Sequence, residues 1–461
     1  MAIVGAFMVP HPPMIVPDIG RGSEKQVTDT TRAYEQVAKE IAALGPETII
    51  ITSPHSIMYA DYFHISPGRG AKGDFGQFGA SKVTFDEGYD RELVTTIEEL
   101  GYQRDFPAGT LGEKNPRLDH GTMVPLYFIR DKYMKGKIVR IGLSGLPLTE
   151  HYRFGQMLKE AVEITGRRVV LVASGDLSHK LQDYGPYGFA PEGPVYDERI
   201  MDVCGRAAFN ELFDFDESFL DKAAECGHRS FVIMAGALDG VSVKTNVLSH
   251  QDVTGVGYGI ISFYPDGEDD SRHFLDYYLD ELKSKIADDK INADEYVRLA
   301  RMSVEYYIRN GVPLELPKGL PKEMLSKKAG VFVSIHKHGY LRGCIGTTGP
   351  CEPSIAQEII ANAISASTRD PRFDPITEDE LEWLEINVDV LGEPESISSA
   401  EELDVKKYGV IVSSGHKRGL LLPDLDGVDS VEQQIDIARR KGGIREGEKI
   451  ALQRFEVVRH R

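Results

Sequence analysis

Three short runs of apolar and β-branched residues each end within a few positions of a histidine: Phe7-Met8-Val9-Pro10-His11, Ile51-Thr52-Ser53-Pro54-His55, and Ala173-Ser174-Gly175-Asp176-Leu177-Ser178-His179. Unbroken apolar runs of this kind suit strands buried on both faces of a sheet. They belong to a series of strand-like runs at 2–9, 48–52, 137–141, 168–173 and 255–263. Segments that interleave charged with apolar residues lie between them, at 23–44, 89–100 and 151–165, and read as helices. Alternation of strand and helix predicts an α/β domain with a central sheet flanked by helices. Ligands of open α/β sheets sit beyond the carboxyl ends of the strands, so the three imidazoles are expected to converge on one site. Neutral imidazole suits Zn, Cu, Fe or Ni.

A chain of 461 residues exceeds one ordinary domain. The acidic stretch Pro-Asp-Gly-Glu-Asp-Asp-Ser-Arg-His at 265–273 has the composition of a linker, dividing the chain into 1–264 and 274–461. The second part opens with helical patterns at 274–286 and 293–310. Strand-like runs follow at 330–335, 385–391 and 409–413, with a helix at 353–367 among them. This irregular order predicts α+β.

The formal net charge of −19 repels phosphate backbones and anionic lipid, so neither nucleic acid nor a membrane surface is an expected partner. No apolar run reaches the roughly 18 to 20 residues of a membrane-spanning helix. The first residues read as a buried strand rather than a secretion signal. Four scattered cysteines do not make a disulfide framework, and a reducing cytoplasm fits them. A homo-oligomer is expected.

Several further residues can contribute chemistry. Leu118-Asp119-His120-Gly121 places an imidazole in a Gly-marked loop, where Asp119 and His120 also read as a surface pair. Ala224-Glu225-Cys226-Gly227-His228 offers a carboxylate, a thiol and an imidazole together, although Cys226 equally reads as a small buried apolar residue. The loop Tyr184-Gly-Pro-Tyr-Gly-Phe after His179 reads as a lid or as an ordinary connection. Cys344, between Gly343 and Ile345 and close to Arg342, is either a reactive thiol or part of a tight turn. No Walker-type loop or G-x-S-x-G elbow is present in the sequence.

Taken together, Pro-His-Pro-Pro, Ser-Pro-His, Asp-His-Gly-Thr-Met-Val-Pro-Leu and Ser-Gly-Asp-Leu-Ser-His resemble the motif set of the class III extradiol ring-cleaving dioxygenase superfamily, which also contains the MEMO proteins. The resemblance covers the first domain. Its dioxygenase pattern implies His11, His55 and Glu225 as ligands of a non-haem Fe(II), with Zn and Cu as alternatives. It further implies His179 as acid/base, His120 as the partner that orients a catechol or aminophenol-type aromatic substrate, and an oxidoreductase activity. The MEMO pattern instead matches His11, His55 and His179 with Cys226, and implies a metal-binding or redox adaptor without ring cleavage. Neighbouring residues project in different directions, so Glu225 and Cys226 are not expected on one ion.

In the second domain, Leu-Arg-Gly-Cys-Ile-Gly, Thr368-Arg369-Asp370-Pro371-Arg372-Phe373 and Gly419-Leu420-Leu421-Leu422-Pro423 are similar to stretches of the AMMECR1 family; Asp424 stands where that family often has glutamine. The two halves together resemble a fusion of the A and B proteins of the AmmeMemoRadiSam system. That likeness implies a radical S-adenosylmethionine enzyme as a partner on a separate chain, since no closely spaced cysteine triplet is present here.

Overall fold

A computed structural model of the chain describes residues 2–425 and 427–461. They form two compact units that divide between Tyr278 and Leu279.

The first unit is built on a six-stranded sheet in the order Lys137–Gly142, Thr48–Ser53, Val169–Ser174, Ile3–Val9, Tyr258–Glu268 and Val241–Gln251. The first four run parallel, and the last two close the edge as antiparallel partners. Every residue of Thr48–Ser53 and Val169–Ser174 is buried, as strands covered on both faces require. Phe7, Val9, Ile49, Ile51, Val170 and Val172 share one apolar cluster with Tyr34, Val37, Val124 and Phe128. Those last residues come from helices Thr28–Leu44 and His120–Lys132. Helices Leu148–Thr165 and His228–Ala237 pack on one another, the latter also against Val169–Ser174, where Ser230 Oγ donates to the carbonyl of Ser174.

The stretch 265–273 is not a linker. Strand Tyr258–Glu268 runs through its first four residues, with Glu268 still in register against Val241, and a short 3-10 turn follows at Asp270–Arg272. Its polar composition belongs to the exposed far end of a long hairpin, and the boundary between units falls inside helix Phe274–Asn292.

The second unit is α+β. An antiparallel sheet orders Tyr340–Gly346, Val331–Lys337, Leu384–Leu391 and Val457–His460, with helix Ile355–Thr368 against it. A second sheet orders Glu395–Ile397, Ala451–Phe455, Gly409–Ser414 and Lys417–Leu421, backed by helix Val431–Lys441. Among the described residues no helix is long and apolar enough to cross a membrane.

Candidate metal centre

Strands Ile3–Val9, Thr48–Ser53 and Val169–Ser174 are neighbours in the sheet and run in the same direction, so the loops leaving their carboxyl ends emerge side by side. His11, His55 and His179 are on those three loops. The sheet topology is what brings together residues far apart in sequence.

His11 is buried and held from two sides. Its backbone N–H donates to Asp176 Oδ1 at 2.7 Å, and its Nδ1 lies 2.9 Å from Ser174 Oγ. Ser174 has one hydroxyl hydrogen, which it donates to the carbonyl of Gly121 at 2.6 Å. Its oxygen is therefore the acceptor, and His11 carries its proton on Nδ1. This leaves the Nε2 lone pair of His11 facing the site, 3.0 Å from His55 Nε2 and 3.6 Å from Cys226 Sγ.

The loops of His55 and His120 are tied through Asp119. Ser53 Oγ donates to Asp119 Oδ1, and the same carboxylate caps helix His120–Lys132 by accepting from Thr122 N and Thr122 Oγ1. Glycine is required next to His120, because a Cβ on Gly121 would stand 2.4 Å from Ser53 Oγ. The His120 ring consequently stacks on His55 with centroids 4.0 Å apart, and lies 5.4 Å from His11.

The segments holding Asp176 and Cys226 cross at two glycines. A Cβ on Gly175 would lie 2.1 Å from Gly227 Cα. With nothing between the backbones, Asp176 N–H reaches Cys226 Sγ at 3.3 Å, and Ser178 Oγ donates to the carbonyl of Ala223 at 2.7 Å. Donor atoms of His11, His55 and Cys226 all lie within 4.8 Å of one another, and so do those of Asp176, His179 and Cys226.

Glu225 takes no part in either group. Its carboxylate is turned back onto the start of helix His228–Ala237, accepting from His228 N at 2.6 Å, and burial pushes its pKa up to about 7. Ala224 adopts a left-handed conformation (φ 53°) just before, and the next two side chains leave in different directions. Cys226, rather than Glu225, faces His11 and His55. His228 is also outside the site, buried with Nε2 3.0 Å from the carbonyl of Leu212. Asp176 was missed as a donor, although it lies inside the Ser-Gly-Asp-Leu-Ser-His motif.

Burial, more than charge, sets the protonation of the site. It lowers His55 and His179, and with the neighbouring His55 holds His11 well below the usual imidazole range; His120 falls to about 3. All four are neutral at pH 7, the state in which imidazole binds a metal. Burial also lifts Asp176 to about 6 and the Cys226 thiol well above its ordinary value.

His11 is placed to share one ion with His55 and with Cys226. Two imidazole nitrogens about 2.1 Å from a common centre are roughly 3.0 to 3.4 Å apart, and a thiolate sulfur at about 2.3 Å stands about 3.6 Å from such a nitrogen at a tetrahedral angle. The 3.0 Å and 3.6 Å separations meet both conditions.

Cys344 lies in the other unit. It faces Ser334 across two strands, Sγ to Oγ 3.3 Å, while Asp370 accepts its backbone N–H at 2.9 Å and Arg372 donates to its carbonyl. Arg342 does not face the thiol: its guanidinium is committed to both carboxylate oxygens of Glu380 and the carbonyl of Asp374.

Residues 5–261 match the catalytic LigB subunit of aromatic ring-opening dioxygenase, and residues 297–460 match AMMECR1. The chain belongs to the LigB family. Its AMMECR1 domain follows on the same polypeptide, as the sequence motifs imply. A Clostridium acetobutylicum protein is 42% identical over 471 residues, covering 100% of both chains, and so shares the two-domain layout. A Thermotoga maritima protein is 47% identical over 173 residues, 37% of this chain and 99% of its own. A solved Pyrococcus horikoshii structure is 32% identical, covers 36% of this chain and 88% of that one, and gives a TM-score of 0.34.

Proposed function

We propose that the LigB-like unit is a non-haem Fe(II)-dependent oxidoreductase of the extradiol ring-cleaving type, acting on a catechol or aminophenol-type aromatic. The observation that carries this reading is the convergence of donor atoms of His11, His55 and Cys226 within 4.8 Å of one another, beside two imidazoles, His120 and His179, that have no hydrogen bond among the described residues. When bound, the ion would supply redox-capable chemistry for an aromatic diol and dioxygen. The chain's own residues supply the rest. Ser174 fixes the His11 tautomer, and His11, His55 and Cys226 hold the ion. Neutral His179 and His120 accept the protons that a substrate's hydroxyl groups release, His120 from its place against His55. Asp176, which titrates near pH 6, adds a second acceptor beside His179.

A second reading has its own support. A thiolate in place of the carboxylate makes the donor set softer, which favours Cu or Zn and a MEMO-like metal-binding redox role beside a separate radical S-adenosylmethionine enzyme. The test is metal content of anaerobically purified protein, then oxygen uptake and ring-cleavage absorbance with catechols and aminophenols after Fe(II) loading, in wild type, Cys226→Ser and Glu225→Gln. Stoichiometric iron with coupled oxygen consumption, lost in Cys226→Ser and kept in Glu225→Gln, supports the dioxygenase reading. Tight metal without oxygen chemistry overturns it in favour of the second.

A further inference from the structure

The imidazoles of the site differ in how their rings are held. His11 has a hydrogen bond to Ser174 at Nδ1 and meets His55 at Nε2. His120 is wedged between the rings of His55, at 4.0 Å, and Phe78, at 5.5 Å. Among the described residues His179 has no hydrogen bond at either nitrogen, and its Nε2 is buried without a partner. The aromatic ring laid against it is that of Tyr187, with centroids 5.1 Å apart and planes inclined by 29°.

Tyr187 does nothing for the core. It is 60% exposed, at the tip of the Tyr184-Gly-Pro-Tyr-Gly-Phe loop. That loop is nevertheless closed at its base: Leu181 bridges Phe189, Ala190 N donates to the carbonyl of Lys180 at 3.0 Å, and Leu181 N donates to the carbonyl of Gly255. Gly188, at φ +75°, makes the turn that brings the chain back after Tyr187. A pinned loop carrying a largely exposed aromatic residue onto an otherwise unheld imidazole is poor economy for stability alone. An offset stack is a favourable contact for two such rings.

We infer that Tyr187 is a positioning residue, whose ring fixes the plane of the His179 imidazole and so keeps a ring nitrogen within reach of Asp176 and Cys226. The role in turnover rests on the reading of the site as ring-cleaving; the ring-on-ring contact does not. Without the stack the imidazole rotates about its side-chain bonds and spends less time where a substrate proton must be taken up.

The test uses the full chain with 13C-labelled histidine. Wild type is compared with Tyr187→Ala and Tyr187→Phe, and the His179 signal is identified by its disappearance in His179→Gln. A ring-current displacement of the His179 signal is expected in wild type and Tyr187→Phe, and its loss in Tyr187→Ala. In Fe(II)-loaded protein with catechol, Tyr187→Ala is expected to lower kcat by roughly 3- to 10-fold, the worth of one aromatic pair, with KM changed less than two-fold and the loss restored by phenylalanine. A His179 signal indifferent to Tyr187→Ala overturns the inference. So does a lost ring-current shift with unchanged kcat. If wild type turns over no aromatic, the ring-cleaving reading fails instead, and the histidine spectrum alone decides whether Tyr187 holds His179.

Discussion

Ser174→Ala removes one oxygen atom and separates two roles of that hydroxyl. In the folded protein Ser174 Oγ accepts from His11 Nδ1 at 2.9 Å and donates to the carbonyl of Gly121 at 2.6 Å, and the residue is fully buried. Alanine leaves a buried imidazole N–H and a buried carbonyl without partners. Each costs about 1 to 3 kcal/mol, giving a destabilisation of about 2 to 6 kcal/mol. The second effect is on the metal. With its Nδ1 partner gone, the His11 ring loses the contact that fixes its orientation and tautomer, and an outer partner of this kind is worth about 10- to 100-fold in metal affinity. Affinity is read by competition against a chromophoric chelator, and stability by urea unfolding followed by far-UV circular dichroism. Tryptophan fluorescence would miss the effect, since the one tryptophan, Trp383, belongs to the second unit. A loss of stability with metal affinity within two-fold of wild type would refute the tautomer argument, leaving Ser174 a purely structural hydroxyl.

Two further outcomes follow from the same region. Gly175→Ala forces a Cβ against Gly227 Cα and must part the segments of Asp176 and Cys226; a destabilisation of about 1 to 3 kcal/mol and weakened metal binding are expected, and wild-type thermal unfolding with intact affinity would contradict the crossing. The metal-free protein is expected to lose stability as pH falls below about 6.5. His11, His55, His120 and His179 have folded pKa values below their unfolded ones, so the unfolded chain binds the extra protons, and stability drops between the unfolded value near 6.5 and the folded values. Asp176 and Glu225, raised to about 6 and about 7, act in the opposite sense, as do Asp197, His250 and His273, but His64, His151, His228 and His336 are lowered as well, so lowered histidines outnumber the raised groups eight to five. Melting temperatures measured from pH 7.5 to 5 check this; a curve that is flat or rises on acidification would show the sign to be wrong.

The strands and the histidines were legible because each strand's apolar run is local, and its exit histidine sits next to it in sequence. Parallel pairing of strands 3–9, 48–53 and 169–174 then does the rest. The choice between Glu225 and Cys226 was not legible, because it turns on the left-handed conformation of Ala224 and the backbone crossing at Gly175 and Gly227, neither of which has a local sequence signature. Asp176 escaped notice for a related reason: its backbone neighbours fix its direction, and a lone aspartate in a turn ordinarily caps or solvates. Strand Val241–Gln251 was also missed, since its mixture of exposed and half-buried residues breaks the alternation that marks a strand. Its partner runs through the stretch expected to be a linker, so one oversight produced the other.

The candidate ligands are spread widely along the chain: His11 and His55 are 44 positions apart, and His11 and Cys226 are 215 apart. An unfolded chain holding these three groups at such separations has almost no chance of presenting them together, because each closure must be made against chain entropy. An ion that binds here therefore binds only the finished sheet. It acts as a proofreader of assembly, rewarding chains in which three loops have all arrived and giving nothing to those that stop short.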